Sequence, residues 1–501
     1  MLTELPNGWI WTKLEVLAEK INPGFPSGKH NKENRGIPHI RPMNISLKGE
    51  IDLAIVKYVE TSNYEPLLKG YVLFNNTNSP EMLGKTTYLR QDTNWAYSNH
   101  MTRIRLFQQF LEPAWVAYYL HFLFLNGFFK MNCVHHVNQA SINSGFLSKK
   151  IPIPLAPLTE QRRIVARIEE LFSRLDAGVE ALQRAKAQLR RYRQSVLKAA
   201  VEGRLTEEWR RAHPNKEPAS VLIERFEEGK EQNGISRRIK KSLLDVSDLV
   251  TLPDGWAWAR AEQISDFITK GTTPKSEKLL NGSGDIPFIK VYNLTFDGTL
   301  NFSIHPTFVS WETHVKDLAR SLVLPKDVLI NIVGPPLGKV SVVPNLYPEW
   351  NINQAIARFR PTGCYDSEFL SIALQTESIL NWAKIRSKAT AGQFNLTLEI
   401  CRELPVPVPP KAEQKEIVAK VKRCILEAEV FKTGIEDNLK RTVLLRQSIL
   451  KRAFEGRLVP QDPGDEPASV LLERIKVERA GEAPKRGRKN NNSAKQMRLI
   501  Q

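Results

Sequence analysis

The chain has 501 residues, 42% hydrophobic and 25% charged, which is too long for one core and globular rather than disordered in composition. A net charge of +18 points to a polyanionic partner. Nucleic acid fits better than membrane, because Met1 to Pro6 lack the start of a signal peptide and the richest apolar run, Tyr118 to Phe129, is too short and interrupted to span a bilayer. The four cysteines, Cys133, Cys364, Cys401 and Cys424, lie far apart without a Cys-x-x-Cys, so neither a zinc site nor a disulfide framework is indicated and a reducing cytoplasm is expected.

From Leu5 the chain reads Leu-Pro-Asn-Gly-Trp-Ile-Trp, a turn followed by tryptophans at alternate positions, which predicts a half-buried strand. Leu252 opens the same pattern, Leu-Pro-Asp-Gly-Trp-Ala-Trp. The repeat continues: Ile37-Pro38-His39-Ile40-Arg41 pairs with Ile286-Pro287-Phe288-Ile289-Lys290, Asn44 with Asn293, Leu83-Gly84-Lys85 with Leu337-Gly338-Lys339, and Arg103 with Arg358. Between these anchors the offset drifts from 247 to 256, so a scaffold is kept while its loops differ. Short strands, then helices near 112–130 and 366–385, give each globular part an α/β (α+β) class. Proline-spaced segments, Ile151 to Pro157 and Leu404 to Pro410, predict extended backbone that forbids an earlier helix start.

Two long helices follow. Pro157 to Thr206 returns as Pro410 to Val459 at a constant offset of 253. Positions 164, 168, 171, 175, 178, 182, 185, 189, 192, 196 and 199 carry an apolar seam over about five heptads, a coiled-coil signal. The seam expected in the copy runs through 417, 421, 424, 428, 431, 435, 438, 442, 445, 449 and 452, where Asn438, Thr442 and Arg452 interrupt it. Each helix would span about 65–70 Å. The expected boundaries are 1–156 and 251–409 for the globular parts, 157–206 and 410–459 for the long helices, 207–250 for a helix and charged linker, 460–480 for a C-terminal helix, and 481–501 for a basic tail whose composition predicts disorder.

The motifs that carry this reading are Pro-Leu-Thr-Glu-Gln-Arg-Arg-Ile-Val at 157–165, Gln-Ser-Val-Leu-Lys-Ala-Ala-Val-Glu-Gly-Arg-Leu-Thr at 194–206, and Ile-Pro-His-Ile-Arg-Pro-Met-Asn-Ile at 37–45. In this order, and duplicated, they resemble the specificity subunit of type I restriction-modification systems. The resemblance implies two target-recognition domains, each reading one half of a split asymmetric DNA site, with an antiparallel helix pair as spacer about a pseudo-two-fold axis. It also implies two modification subunits that bring S-adenosylmethionine and methylate adenine, and restriction subunits that use ATP and Mg. No cofactor is expected on this chain itself. The basic tail has no counterpart in the resemblance.

No catalytic constellation is legible. Gly334-Pro335-Pro336-Leu337 lacks the residues of an adenine-methylation motif, and Gly334 to Val340 is one residue short of a phosphate loop with Val in place of Ser/Thr. The turns before Lys85 and Lys339 could cradle a DNA phosphate or be ordinary hairpins with solvated lysines. His135-His136 is a weak metal pair, since neighbours on regular structure point apart. DNA reading calls for Lys and Arg on phosphates and Arg, Lys, Asn, Gln or His on base edges. In the first half that selects Lys29, His30, Asn31, Lys32, Arg35, Arg41, Asn44, Lys85, His100 and Arg103. In the second it selects Thr273, Lys275, Lys278, Lys290, Asn293, Lys339, Gln354 and Arg358. Arg103 and Arg358 alternate with apolar residues and are equally readable as structural. Two competing functions remain at this point: a self-sufficient DNA methyltransferase or nuclease, and a scaffold that binds nucleic acid by charge without sequence preference.

Overall fold

The computed structural model describes residues 4–27, 30–31, 33–232, 244–247, 249–334, 336–363, 365–390 and 393–482. The double basic pairs of the linker and, past Glu482, the basic tail lie outside them. The chain divides into two compact units, Met1–Leu182 with Asp437–Gln501, and Gln183–Glu436. Each unit holds one globular part, the start of one long helix and the end of the other.

In the first unit the strand Ile10–Lys13 pairs antiparallel with Pro152–Leu155, and in the second Ala257–Arg260 pairs with Pro405–Val408. The tryptophan segments and the proline-spaced segments are thus partners. Prolines at alternate positions keep their missing N–H groups on one edge, so the other edge is free to pair. A four-stranded antiparallel sheet forms the middle of each globular part. In the first unit its order is Ala18–Pro23, Met101–Leu106, Val72–Asn75, Thr86–Tyr88; in the second it is Ser265–Lys270, Ile356–Pro361, Val328–Asn331, Val340–Val342. A second sheet stands beside each. The first unit has three strands there, Lys57–Val59, Ile37–Ile40 and Ala96–Tyr97. The second unit has five: Thr307–Val309, Ile286–Ile289 and Trp350–Ile352 repeat those three, and Leu280–Asn281 and Leu322–Val323 are added. The stretch from Val309 to Val328, which holds Leu322–Val323, is longer than that from Val59 to Val72 and accounts for much of the drift in offset.

The repeated Glu-Gln motif explains why its tryptophans repeat with it. Trp9 Nε1 donates to Glu160 Oε2 and Trp256 Nε1 to Glu413 Oε2, both at 2.9 Å. The glutamines bridge in parallel fashion. Gln161 Nε2 donates to Ala156 O at 2.8 Å while its Oε1 accepts from Glu112 N, at the start of the helix Pro113–Leu125. Gln414 does the same for Pro409 O and Asp366 N, ahead of the helix Ser367–Leu374. One dipeptide therefore fastens the entering strand, the extended segment and a globular helix to the first turn of each long helix.

The long helices run over Leu158–Val201 and Lys411–Phe454. Gly203 (φ 71) and Gly456 (φ 66) end them in the left-handed conformation that favours glycine, which is why Glu-Gly-Arg-Leu recurs there. In the first unit Ile164, Ile168 and Phe172 share a core with Leu450, Ala453 and Phe454; in the second Val196, Leu197 and Ala200 share one with Ile417 and Val421. The start of each helix thus meets the end of the other, an antiparallel pairing. Phe454 packs on Trp115, Tyr119 and Phe122 with ring centroids 4.8, 5.0 and 5.6 Å away. Its burial contributes roughly 2–3 kcal/mol.

The seam in the second helix differs from the expected one. Ile417, Val421, Cys424, Ala428, Ile435, Thr442 and Ile449 are covered as expected, but Phe431 (69% exposed), Asn438, Leu445 (49% exposed) and Arg452 face solvent, and the stripe is completed one residue later by Lys432, Leu439 and Arg446. The apolar letters at 431 and 445 mislead because long charged side chains take the covered places: Arg446 lies over the Phe172 ring at 4.4 Å and bonds Asp176. In the second unit Lys186 pairs with Glu436 at 2.7 Å.

After each long helix comes a short docking helix. Ala219–Gln232 bonds the second globular part through Ala219 N to Gly255 O, and Ala468–Glu482 bonds the first through Ala468 N to Gly8 O, both at 2.9 Å.

Candidate nucleic-acid interface

At one end of each four-stranded sheet four loop segments are tied together by main-chain hydrogen bonds. In the first unit the strand Ala18–Pro23 leaves through Gly24, where a Cβ would stand 2.0 Å from Tyr97 O; only glycine lets the strand pass. Phe25 N then donates to Tyr97 O and Asn99 N to Phe25 O, each at 3.2 Å; Asn76 N donates to His100 O at 3.0 Å and Ile142 N to Asn76 O at 2.9 Å. The loop after Gly24, the turn 97–100, the segment from Asn76 and the hairpin ending at Ser141 therefore form one cluster. The second unit repeats the frame: a Cβ on Gly271 would stand 2.1 Å from Ile352 O, Thr272 N donates to Ile352 O, Ile332 N to Ala355 O, and Leu396 N to Ile332 O.

On this common frame the side chains differ. In the first unit His30 Nε2 lies 2.6 Å from Ser27 Oγ and 3.1 Å from Nδ1 of His39. His39 is 1% exposed, and its Nε2 has no partner among the described residues. Burial, then the nearby His30 and Arg41, push His39 down to about 4; burial, Arg41 and Lys57 lower His30 as well. Both imidazoles are therefore neutral near pH 7, each with one donor and one acceptor nitrogen. Arg41 keeps Nε and Nη2 buried and unpartnered among the described residues, and burial lowers its pKa. Asn31 closes its own loop with Arg35, whose guanidinium pairs with Glu33 at 3.1 Å. His100 is half-buried in the turn, while Lys29 and Lys32 lie outside the described residues. In the second unit His39 is replaced by the buried Phe288. Thr273 accepts from Gln354 N at 3.3 Å, Gln354 and Lys275 are exposed, Lys278 pairs with Asp317 at 2.5 Å, and Lys290 stands 5.9 Å from the Tyr292 ring centre.

Comparison with known proteins places this frame. The sequence model of the type I restriction modification DNA specificity domain matches residues 6–184 and again 253–441. The chain belongs to that family. It is 27% identical to the EcoBI specificity subunit of Escherichia coli over 97% of this chain and 95% of that one, and 24% identical to the EcoKI specificity subunit of Escherichia coli strain K12 over 96% and 98%. Among solved structures it resembles a chain from a type I R-M system described in terms of complex assembly and conformational transition, with TM-score 0.59 and 20% identity over 91% of this chain and all of that one. It also resembles the HsdS subunit from Thermoanaerobacter tengcongensis, with TM-score 0.51 and 19% identity over 91% and 98%. Its role is DNA sequence specificity in type I restriction-modification. Among the described residues, no helix is long and apolar enough to cross a membrane.

Several residues expected to touch DNA are interior in this specificity subunit. Asn44 accepts from Arg41 N and donates to Asp52 O and Ile55 O; Asn293 accepts from Lys290 N and donates to Asn301 O and Ile304 O. Both are buried, and both amides are spent on folding a loop back on itself. Lys85 is buried with Nζ on Ile45 O, and burial lowers its pKa; Lys339, half-buried, reaches Val291 O at 3.5 Å. Arg103 is buried against Tyr71 and Tyr97 and pairs with Glu65. Arg358 is buried over Phe267, donates to Thr269 Oγ1, and is pushed down to about 10 by desolvation. These side chains stiffen the frame that carries the loops.

Lysines at the surface and in the interior should separate in a salt titration. Lys275→Ala is expected to lower the slope of log binding constant against log salt by about 0.9, the share of a single neutralised phosphate, whereas Lys85→Met leaves the slope unchanged. Equal slopes for both variants would remove Lys275 from the interface.

Proposed function

We propose that this chain is the non-catalytic subunit that reads a bipartite, asymmetric DNA sequence, one half-site at each loop cluster, and so directs adenine methylation and restriction carried out by partner subunits. The observation that carries the reading is one loop frame built twice with different side chains: His30 and Arg41 on the first copy, beside the buried His39, stand where Leu279 and Lys290, beside the buried Phe288, stand on the second. Different side chains on equal frames present different hydrogen-bonding edges, which is what two unlike half-sites require. Two modification subunits would bring S-adenosylmethionine, and restriction subunits ATP and Mg, in the cytoplasm. The proposed contacting set comprises the exposed Arg35, Thr273, Lys275, Lys278 and Gln354 and the half-buried His30, Asn31, Arg41, His100 and Lys290, together with Lys29 and Lys32.

The test is single-molecule sequencing of adenine methylation in DNA from cells that express this chain with its cognate modification subunit. A split, asymmetric motif that disappears when this chain is omitted is the expected result. Methylation without sequence preference would replace this reading with a charge-driven scaffold, and methylation by the purified chain alone would make it an enzyme.

A further inference from the structure

The loop cluster of the first unit includes a projection whose tip serves neither core nor frame. Val134–His135 and Ala140–Ser141 form a two-stranded ribbon, Val134 opposite Ser141 and His135 opposite Ala140, and its inner strand pairs on to Thr77–Asn78. Its base is fixed: Ala140 and Ile142 are buried, and His136 N donates to Gln139 O at 2.7 Å to close the turn. Its tip is bare. Every residue from Val134 to Gln139 is exposed, and Val137, at 98%, is the most exposed large apolar side chain among the described residues. His136 Nε2 lies 2.9 Å from Ser141 Oγ, while the amides of Asn138 and Gln139 carry no hydrogen bond among the described residues.

The corresponding place in the second unit holds another ribbon, Lys388–Thr390 paired with Gln393–Asn395. The residues just after the two ribbons match in role: Ile142 and Leu396 are both buried, and Asn143 and Thr397 both cap the next helix by accepting from a backbone N–H. The ribbons themselves do not match in sequence. A pair of elements held on equal anchors, yet built from unlike residues, has the property expected of parts that read unlike sequences.

We propose that the ribbon Val134–Ser141 is a base-reading element that enters the major groove of the first half-site and recognises an A·T pair. The major groove admits a two-stranded ribbon. There an amide meets adenine N6 and N7 in a two-bond pair, a role open to Asn138 or Gln139, and an apolar side chain meets the thymine methyl, a role open to Val137. Tethering through Asn76 to the turn 97–100 holds the ribbon beside the other loops, so that both would face one half-site. The inference rests on the reading of this chain as a DNA-specificity subunit.

The experiment uses the full chain assembled with its modification subunits and compares wild type, Asn138→Ala with Gln139→Ala, and, separately, Val137→Ser. Methylated motifs are read by single-molecule sequencing, and the melting temperature of each assembly is recorded. The expected result is that an A·T position in one half-site becomes degenerate and methylation of the original site falls about tenfold or more, with the other half-site and the melting temperature unchanged. An unchanged motif with methylation within about twofold overturns the inference, as does a loss that spreads over both half-sites or accompanies a failure to assemble. If the wild-type assembly itself gives no split motif, the specificity reading fails first, and that outcome is visible before any variant is compared.

Discussion

Glu413→Gln is expected to destabilise the second unit by about 3 kcal/mol, whereas Glu160→Gln, its counterpart in the first unit, is expected to stabilise that unit at pH above the ordinary carboxylate range. Both carboxylates are buried and both accept from a tryptophan indole at 2.9 Å. They differ in what else they touch. Glu413 Oε1 accepts from Thr206 Oγ1 and from Arg210 Nη1, each at 2.6 Å, and Arg210 lies over the Trp256 ring. Removing that negative charge leaves a mostly buried guanidinium without its counterion, the kind of broken pair that costs several kcal/mol. Glu160 Oε1 has no hydrogen-bond partner among the described residues, and the nearest arginine, Arg163, is engaged with Asp465 at 2.6 Å. Burial, the largest cause, raises the Glu160 pKa, with Trp9 and Gln461 opposing it. A carboxyl whose folded pKa is raised holds a proton that the unfolded chain has released, so stability falls as pH climbs from the ordinary carboxylate value to the raised one and stays lower above it. The neutral amide of the Glu160→Gln variant mimics the protonated form and escapes that loss. Hydrogen exchange of each unit at pH 4, below the ordinary carboxylate value, and at pH 8 tests the pair. Glu160→Gln should match wild type at the lower pH and exceed it at the higher; a loss at pH 8 like that of Glu413→Gln would mean that Glu160 is charge-compensated after all.

The duplication explains what could be read from the letters and what could not. The helices and the alternate tryptophans are legible because each depends on local spacing, 3.5-residue periodicity and a two-residue alternation; the glycine ends are not, since the motif is repeated through Gly203 and Gly456 and the expected bounds run past them. The bonds that make the repeat a repeat are not legible either, since Trp9 and Glu160 are 151 residues apart and nothing local joins them. The expected seam fails at 431 and 445 because its positions follow from the first helix at the constant offset of 253, whereas the covered place falls at Arg446, buried through its stem while its charge is met by Asp176. In the site the repeat points the other way. Asn44 with Asn293, Lys85 with Lys339 and Arg103 with Arg358 recur and are interior, and two copies that read different bases should share framework residues and differ in reading residues. By that criterion the unlike residues, such as His30 against Leu279, and the ribbon from Val134 to Ser141 are the better candidates.

Exchanging residues 1–156 for those of a family member with a different first half-site is expected to give a chimera that methylates a new motif, changed in one half and unchanged in the other. Each altered base pair costs roughly 1–3 kcal/mol and the costs add, so the original site should lose essentially all methylation. The exchange crosses a packed boundary, however, because the first unit also contains Asp437 onward. Four attachments must survive: the Trp9 bond to Glu160, the Glu112 N bond to Gln161, the rings of Trp115 and Tyr119 on Phe454, and Gly8 O as acceptor for Ala468 N. None of them belongs to the loop cluster. A donor that keeps these residues should fold and switch; the same donor carrying Trp9→Ala should lose several kcal/mol of stability through the missing indole and the carboxylate left unpaired beneath it. Motif sequencing of both chimeras decides the matter. If the second half-site changes along with the first, the two clusters are not independent readers, and the separation of framework from reading residues on which the exchange depends is wrong.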